Sequence, residues 1–276
     1  MKWLLNLCLL LTLVACANNS ASSPAAPDSV KVNTLPENPD EIISDDSKNL
    51  IVGGQKVNKK DQIDNYTVSL VDIRQGSLCT ATIIDDHFLV TAAHCLTGSK
   101  MDLKVSFALK TSSRSLHDIT DFRIHPYWTP QSEKNVNDIG IVYIKENLPK
   151  GFEKASILPS NYKFENDQQV LLAGFGITDG EKNKGAGTLR SVEAKIKNAK
   201  FSETEILIDQ TEHKGACHGD SGGPAFVALS DGKLLYWGVT SRGYGPNGEN
   251  CESYAVYTKI MPHRRWLNWA AKEMKK

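Results

Sequence analysis

The chain has 276 residues, of which 40% are hydrophobic and 23% charged, as in an ordinary soluble globular protein of one large or two modest domains. Its 32 basic and 32 acidic residues balance, and the first 50 residues hold three lysines and six acidic residues, which leaves 29 basic and 26 acidic residues from Ile51 onward. This balance and the absence of a basic stripe interleaved with aromatic residues argue against a nucleic-acid partner.

The N-terminus, residues 1–15, has the pattern of a targeting segment. Lys2 precedes an apolar run at residues 3–15, which is too short to span a bilayer but suits the core of a signal peptide. The run ends LVAC, which resembles a bacterial lipobox, in which Cys16 becomes the lipidated first residue after cleavage. The alternative is an ordinary secretory signal peptide with a chance cysteine. We expect export to a bacterial cell envelope, with a lipid on Cys16 as the membrane anchor.

Residues 16–50 form the next segment, which is rich in Ser, Pro, Ala, Asn and Asp and has few large apolar residues. Such a composition buries too little surface to offset the entropy of ordering the chain, so we predict a disordered tether. It ends at NLIVGG, residues 49–54, where globular composition begins. We therefore place the start of the folded domain at Ile51.

From Ile51 onward, short segments rich in β-branched and aromatic residues alternate with Gly, Asp, Asn and Pro clusters. This pattern predicts many short strands, typical of a barrel or a sandwich. The helical stripe of Trp266, Leu267, Trp269 and Ala270 predicts a C-terminal helix that packs on the body. The predicted strands are 66–71, 80–84, 87–92, 139–144, 170–173, 205–208, 225–229, 234–240 and 254–260.

Four cysteines follow the exported N-terminus. An even number in an oxidising compartment argues for two disulfides. A metal site is the alternative, because His94 adjoins Cys95 and His218 adjoins Cys217. No CxxC or HxxxH spacing supports a metal site, so we expect no metal and no cofactor. The cysteines are Cys79, Cys95, Cys217 and Cys251.

Three stretches carry residues suited to nucleophilic catalysis. CHGDSGGP, residues 217–224, sets Ser221 among glycines, which let backbone N–H groups approach a ligand closely. A nucleophilic serine needs a base and an acid that orients the base. VTAAHC places His94 after two small alanines, and NDIGIVYI places Asp138 at the mouth of an apolar strand.

These stretches resemble the chymotrypsin/trypsin-like serine endopeptidases. TAAHC, then RIHPYW followed by the Asp138 motif, then GDSGGP give that family's order of His, Asp and Ser. IVGG at residue 51, LLAGFG, GVTSRG and AVYTKI add further matches up to the C-terminal segment. The resemblance implies an all-β fold of two packed antiparallel six-stranded β-barrels with a C-terminal α-helix. We assign residues 51–150 to the first barrel, 151–163 to a linker, 164–261 to the second barrel and 262–276 to the helix.

The resemblance also implies the roles of the site residues. Ser221 attacks the scissile carbonyl, His94 moves the proton, and Asp138 orients the imidazole. The backbone N–H groups of Gly219 and Ser221 form the oxyanion hole. The implied disulfides are Cys79–Cys95, beside the histidine, and Cys217–Cys251, beside the substrate pocket.

In this family, proteolysis frees an Ile-Val N-terminus that pairs with the aspartate before the serine. The resemblance therefore implies a zymogen that is cut after Leu50 and activated by an ion pair between Ile51 and Asp220. Loss of a buried ion pair costs about 3–5 kcal/mol, which is enough to hold an uncut form inactive. The alternative is that IVGG is a plain edge strand.

The specificity pocket departs from the trypsin pattern. The position of its floor, where trypsin-type members have an acid, holds Gly215. A small uncharged pocket favours apolar or aromatic side chains before the scissile bond and disfavours Lys and Arg, whose charge would have no partner. Glu252 is the alternative source of an acid, from the side. The remaining pocket positions are Ser241, Gly243 and Ala255.

Other candidates near the site are weaker. Arg242 stands where the family usually has an aromatic residue that lines the substrate cleft. His218 precedes the oxyanion glycine and either touches substrate or is merely exposed, and we favour exposure. The remaining histidines are interpreted as structural or surface residues: His87, His117, His125, His213 and His263.

The sequence thus predicts an exported, lipid-anchored, monomeric serine endopeptidase whose partners are protein or peptide substrates. One alternative is a protease-like binding protein at the cell surface that kept the fold and lost activity; such proteins usually lack a triad residue or the oxyanion glycine, and this chain has both. A second alternative is an adhesive surface lipoprotein, which leaves the ordered motifs unexplained.

Overall fold

A computed structural model describes residues 53–59, 61–178, 184–246 and 251–276. The predicted signal peptide at residues 1–15, Cys16, the tether at residues 16–50 and Ile51 lie outside the described residues. Within these ranges, no helix is both long and apolar enough to cross a membrane.

Strands dominate the described part of the chain, and the predicted all-β class is confirmed. Each predicted strand coincides with an observed one to within a few residues. The strands are β1 (Gln55–Lys56), β2 (Thr67–Asp72), β3 (Ser77–Asp85), β4 (Phe88–Thr91), β5 (Leu103–Ser106), β6 (Leu116–Asp118), β7 (Asp121–Ile124), β8 (Gly140–Tyr143), β9 (Ser156–Ile157), β10 (Gln169–Gly174), β11 (Arg190–Asn198), β12 (Glu205–Asp209), β13 (Pro224–Ala228), β14 (Leu234–Tyr244) and β15 (Tyr254–Lys259). The α-helices are α1 (Gln62–Tyr66) and α2 (Ile260–Met274), and 3-10 helices cover Ala93–Leu96 and Ser113–Ser115.

The second half of the domain is a closed six-stranded barrel. Its strands pair in the order β11, β10, β13, β14, β15 and β12, and β12 pairs back with β11 through Ile208 and Ile196. Both isoleucines are fully buried, as is Trp237 on β14. Closure of the sheet leaves this set of strands without a free edge, and the inward side chains fill the interior.

The first half is an open sheet of seven strands in the order β6, β5, β2, β3, β4, β8 and β7. β6 and β7 lie at opposite ends of this order, yet only Ile119 and Thr120 separate them in the chain. Three residue steps span at most about 11 Å, so the sheet must curl until its two edges approach each other. The predicted fold of two packed antiparallel β-barrels is confirmed with one difference. This half is a half-barrel of seven strands, not a six-stranded barrel, and β6 and β7 do not pair within the described residues.

The two halves pack on each other through one large apolar cluster. It joins Phe88 and Ile141 of the first sheet to Phe175, Phe226 and Tyr236 of the second half. Asp138 precedes β8 in the first sheet and Ser221 precedes β13 in the second. The candidate site therefore lies where the two halves meet.

The predicted C-terminal helix is confirmed as α2, with bounds within two residues of those expected. Its buried face is formed by residues spaced three or four apart, among them Leu267 and Ala270. Trp269, which was expected to pack on the body, is 55% exposed, so that part of the prediction is wrong. Two residues along a helix rotate by about 200°, which places Trp269 on the face opposite Leu267.

Candidate active site

His94 and Asp138 form a hydrogen-bonded pair. The Thr91 hydroxyl donates to Thr80 O at 2.8 Å at the end of β4, and the fully buried Ala92 and Ala93 lead directly into the 3-10 turn that holds His94. Asp138 Oδ2 lies 2.8 Å from His94 Nδ1, and its Oδ1 accepts from the His94 backbone N–H at 3.1 Å. The carboxylate therefore holds both the ring and the backbone of the histidine.

The electrostatics of this pair favour a defined tautomer. Burial alone would raise the pKa of Asp138, but the His94 charge and hydrogen bonds from His94 and Ser241 outweigh it and hold the pKa below its usual value. Burial likewise opposes the charged form of His94, but the adjacent carboxylate outweighs it and raises the pKa of the imidazole. Because Nδ1–H points at the carboxylate, Nε2 is the nitrogen that can accept a proton.

The loop that carries Ser221 is attached to the first half of the domain. Ser221 O accepts from Thr80 N–H on β3 at 2.8 Å, and Cys95 Sγ lies 3.6 Å from the same oxygen. A Cβ atom on Gly222 would lie 2.9 Å from Ala92 N and closer still to β3, so only glycine fits there. These contacts set Ser221 beside the turn of His94. Within the described residues, no hydrogen bond joins Ser221 Oγ to His94 Nε2.

The backbone at Gly219 has a conformation that glycine adopts more readily than other residues. Gly219 has φ of 93°, in the left-handed region, and its carbonyl accepts from the Thr80 hydroxyl at 3.0 Å. Among the described residues, the N–H groups of Gly219 and Ser221 donate to no protein acceptor. Both N–H groups are therefore available to a developing oxyanion.

Asp220 is buried between glycines. Cβ atoms on Gly174 and Gly176 would fall within about 2.5 Å of its carboxylate, so the glycines make room for it. The carboxylate accepts from the N–H groups of Gly176 at 2.7 Å and Cys217 at 2.8 Å. Burial nonetheless dominates and raises the pKa of Asp220 to about 7. Ile51, its predicted partner, lies outside the described residues.

The positions predicted for the specificity pocket fall into two groups. Gly243 and Ala255 face each other across the β14–β15 pair, so the structure brings these two together. Ser241 donates its hydroxyl to Asp138 Oδ2 at 2.7 Å and therefore acts on the His–Asp pair. Glu252 is half-buried and directly follows Cys251.

The side chain of Gln210, which the sequence did not single out, lies against Gly215. A Cβ atom on Gly215 would lie 2.5 Å from both Cγ and Cδ of Gln210. Gln210 is 1% exposed and donates from Nε2 to Ala216 O at 2.9 Å and to Cys251 O at 3.0 Å. Gln210 therefore joins Gly215 to the backbone at Ala216 and Cys251.

Arg242 is held in an ion pair with a fully buried carboxylate. Its Nη1 lies 2.8 Å from Oε1 of Glu205, whose side chain is fully buried, and 3.3 Å from Ser241 Oγ. Glu205 in turn accepts from the N–H groups of Asn135 at 2.6 Å and Val136 at 3.3 Å. The pair thus ties β12 and β14 to the segment that leads to Asp138.

The four cysteines form two disulfides, Cys79–Cys95 and Cys217–Cys251. The groups Cys79, His94, Cys95 and Cys217, His218, Cys251 also have the proximity of a metal site. A disulfide sulfur is not a thiolate and does not bind zinc, so these two groups do not fit a metal in the oxidised protein.

Most of the other histidines have structural contacts. His263 is buried, and its ring contacts Lys259 O at 2.7 Å and Asn137 Oδ1 at 3.0 Å. Asn137 directly precedes Asp138, so His263 contacts the residue next to the candidate acid. His125 packs on His263, and burial lowers the pKa of His125 to about 4. Ring contacts also join His87 to Ile144 O and His117 to Glu146, whereas His213 is exposed and His218 half-buried.

Comparison with known proteins extends the likeness beyond these motifs. Residues 51–267 match the family model described as Trypsin. Trypsin epsilon from Drosophila erecta is 26% identical over 240 residues, covering 81% of this chain and 88% of that protein. Cathepsin G from Mus musculus is 26% identical over 242 residues, covering 82% and 87%, and a trypsin from Phaedon cochleariae is 25% identical over 213 residues, covering 71% and 79%.

Proposed function

Because the chain belongs to the trypsin family and is a chymotrypsin-like serine endopeptidase, we propose that it cleaves protein substrates through Ser221, His94 and Asp138. The observation that carries this proposal is the 2.8 Å contact between Asp138 Oδ2 and His94 Nδ1, on a turn that touches the Ser221 loop. This contact leaves Nε2 of the imidazole as the base.

The proposed reaction runs in two halves. In acylation, Ser221 Oγ bonds to the scissile carbonyl carbon and passes its proton to His94 Nε2, while the N–H groups of Gly219 and Ser221 stabilise the oxyanion. The carbon–nitrogen bond then breaks, and His94 returns the proton to the leaving amine. In deacylation, water loses a proton to His94, attacks the acyl carbon and releases the acid, and the proton returns to Ser221.

A variant without the nucleophile tests this assignment. Ser221→Ala removes one hydroxyl from a half-buried position, so we expect the fold to persist and casein cleavage to disappear. Circular dichroism and casein hydrolysis on the same preparation measure both effects. If the variant cleaves casein as fast as its parent after contaminating proteases are excluded, Ser221 is not the nucleophile. If the parent is itself inactive after cutting, the protein is a protease-like binding protein.

We further propose that the chain is a zymogen activated by cleavage after Leu50. Support comes from Asp220, whose pKa is raised to about 7 because burial outweighs the hydrogen bonds from Cys217 and Gly176 and the charge of Arg190. A new ammonium group at Ile51 would add a positive charge beside this carboxylate and favour its ionised form. Gly53 packs against Lys214 and His213, so the chain just after Ile51 lies beside the loop that leads to Gly215.

The proposed substrate preference is for apolar and aromatic residues before the scissile bond. Gly215 and Ala255 bring no charge to the pocket, and a lysine or arginine side chain would be desolvated there without a partner. Leu50 itself fits this preference, so the enzyme would be able to cut its own precursor. A peptide-library profile dominated by Arg and Lys would contradict the proposal and indicate Glu252 as the hidden acid.

The N-terminal anchor remains a proposal that rests on the sequence LVAC, and the animal relatives described above give it no support. With a lipid on Cys16 and a cut after Leu50, the excised segment contains no second cysteine to hold it to the domain. Activation would then release a soluble, monomeric enzyme from the cell envelope. Cell fractionation with N-terminal sequencing tests this: an active species that stays in the membrane fraction and begins at lipidated Cys16 excludes release.

A further inference from the structure

A short turn sets the direction in which Asp138 points toward His94. The Ile139 N–H donates to Asn137 O at 2.8 Å, so Asp138 is the central residue of a three-residue turn. Asn137 has φ of 54°, in the left-handed region that is uncommon for residues other than glycine. Such a conformation persists only where the surrounding contacts fix it.

The side-chain amide of Asn137 makes the contacts that fix this turn. Its Nδ2 donates to Tyr127 O at 3.1 Å and to Asn135 O at 2.7 Å. A flipped amide would point its oxygen at both carbonyl oxygens, so the observed orientation is the one that satisfies them. Oδ1 therefore faces the third neighbour, His263, whose Nε2 lies 3.0 Å away.

His263 joins the C-terminal helix to this turn. It lies on the buried face of α2 with 2% of its surface exposed, and its Nδ1 lies 2.7 Å from Lys259 O. His125 packs edge-on against the ring with the two centroids 4.9 Å apart, and the His125 backbone N–H donates to Ile139 O at 3.1 Å. The helix is thus linked to the residues on both sides of Asp138.

The ring of His263 acts as a donor toward Asn137. Asn137 Oδ1 and Lys259 O are both acceptors, so the protonated ring donates to both. Burial and the charge of Lys259 lower the pKa of His263, whereas the hydrogen bond to Lys259 O and the charge of Glu205 oppose this shift. A neutral ring has one N–H, and Lys259 O already accepts a backbone N–H at the start of α2. Asn137 Oδ1 therefore has the greater need of the proton, which we place on Nε2 in both forms.

We propose that His263 is a positioning residue for the catalytic pair: through Asn137 it fixes the direction in which Asp138 presents its carboxylate to His94. The inference rests on the proposed endopeptidase function, in which Asp138 and His94 are the acid and the base. A looser turn at Asn137 would lengthen the 2.8 Å contact between Asp138 Oδ2 and His94 Nδ1. The carboxylate would then raise the pKa of the imidazole less and orient it less well.

Three variants of the protein cut after Leu50 separate positioning from packing and charge. His263→Phe keeps a ring and removes the donor, so kcat should fall about 10- to 100-fold with KM unchanged. The rise of kcat/KM with pH should also move to lower pH. His263→Gln keeps a donor near the place of Nε2 but carries no charge, and it should stay close to the parent. His117→Phe makes the first substitution at a side chain that is 41% exposed, and this matched control should change neither property.

A parental kcat and pH profile in His263→Phe, a change confined to KM, or an equal loss in His263→Gln overturns the inference. Should His263→Phe fail to fold, Asn137→Gly decides, because glycine tolerates φ of 54° but breaks the link to His263. A parental profile in Asn137→Gly then overturns the inference.

A second measurement does not depend on activity. Titration of His94 by NMR in a Ser221→Ala background should show a lower pKa with His263→Phe and a parental pKa with His263→Gln, and equal pKa values in all three proteins overturn the inference. Labelling of the parent with a serine-directed phosphonate keeps the two levels apart. Without an adduct on Ser221 the endopeptidase function fails, and the NMR titration still decides whether His263 positions the pair.

Discussion

The buried ion pair between Arg242 and Glu205 gives the sharpest stability prediction. Arg242→Met removes the cation that lies 2.8 Å from a fully buried carboxylate, while the Arg242 side chain itself is 20% exposed. Three hydrogen bonds remain on Glu205, from Asn135 N at 2.6 Å, Val136 N at 3.3 Å and Ser202 Oγ at 3.1 Å. Since these partly offset the loss, we expect the lower end of the usual range, about 3 kcal/mol.

For a domain of this size, that loss corresponds to a fall in Tm of about 6–12 °C. The assay is thermal and urea unfolding in a Ser221→Ala background, which prevents autolysis. Arg123→Met is the matched control, because Arg123 lies 3.7 Å from Asp121 with 48% and 33% of the two side chains exposed. Such an exposed pair contributes at most about 1 kcal/mol.

The double variant Glu205→Gln, Arg242→Met completes the test. It removes both charges, so no uncompensated carboxylate remains, and we expect it to be more stable than Arg242→Met alone. The reasoning is refuted if Arg242→Met is as mild as Arg123→Met. It is also refuted if the double variant is no more stable than the single one.

Three further predictions concern the site. Gly215→Asp alone should not confer cleavage after Arg or Lys, because its Cβ would lie 2.5 Å from the Gln210 side chain. The double variant Gly215→Asp, Gln210→Ala should confer this cleavage, and a peptide library measures it. The free energy of unfolding of the uncut chain should fall as pH rises from about 4 to 7. Asp220 in the folded state, with its pKa raised from 3.8 to about 7, keeps a proton over this range that the unfolded state loses. Asp220→Asn should flatten this pH dependence in urea titrations, and an unchanged dependence would contradict the prediction. Activity needs neutral His94, so kcat/KM should rise as pH passes through the raised pKa of His94. Asp138→Asn should lower kcat/KM by orders of magnitude and shift the rise of the remaining activity to lower pH. A rise at the same pH as in the parent would contradict the pairing of His94 with Asp138.

The sequence predicts those site residues that lie in short local motifs. His94, Asp138 and Ser221 each sit in a stretch whose neighbours have a clear steric purpose, such as the glycines around Ser221. The contact between His94 and Asp138 spans 44 residues, and only the family's fixed order of motifs made it predictable.

Gln210 and Glu205 escaped the sequence analysis because nothing beside them marks their roles. Gln210 acts through Cys251, 41 residues away, and Glu205 through Arg242, 37 residues away. These partners meet only because strands distant in the chain pair in the closed barrel. A buried glutamine or glutamate is recognised from its three-dimensional contacts, which composition does not reveal.

The sequence predicted the fold class but did not predict every strand. β11 was overlooked, although its buried and exposed residues alternate along nearly its whole length, which is the period-two pattern of a half-buried strand. The open seam of the first half was not predictable in the same way. It depends on where β6 and β7 end relative to each other after the sheet has curled, and local sequence does not encode that distance.

The central claim is that Ser221 is an activated nucleophile, and covalent labelling tests it most directly. Protein cut after Leu50 is treated with a serine-directed phosphonate, digested and analysed by mass spectrometry, with the Asp138→Asn variant in parallel. We predict one phosphonate adduct on Ser221 and much slower labelling of the variant. Adduct formation elsewhere, or equal labelling of both proteins, would contradict the account.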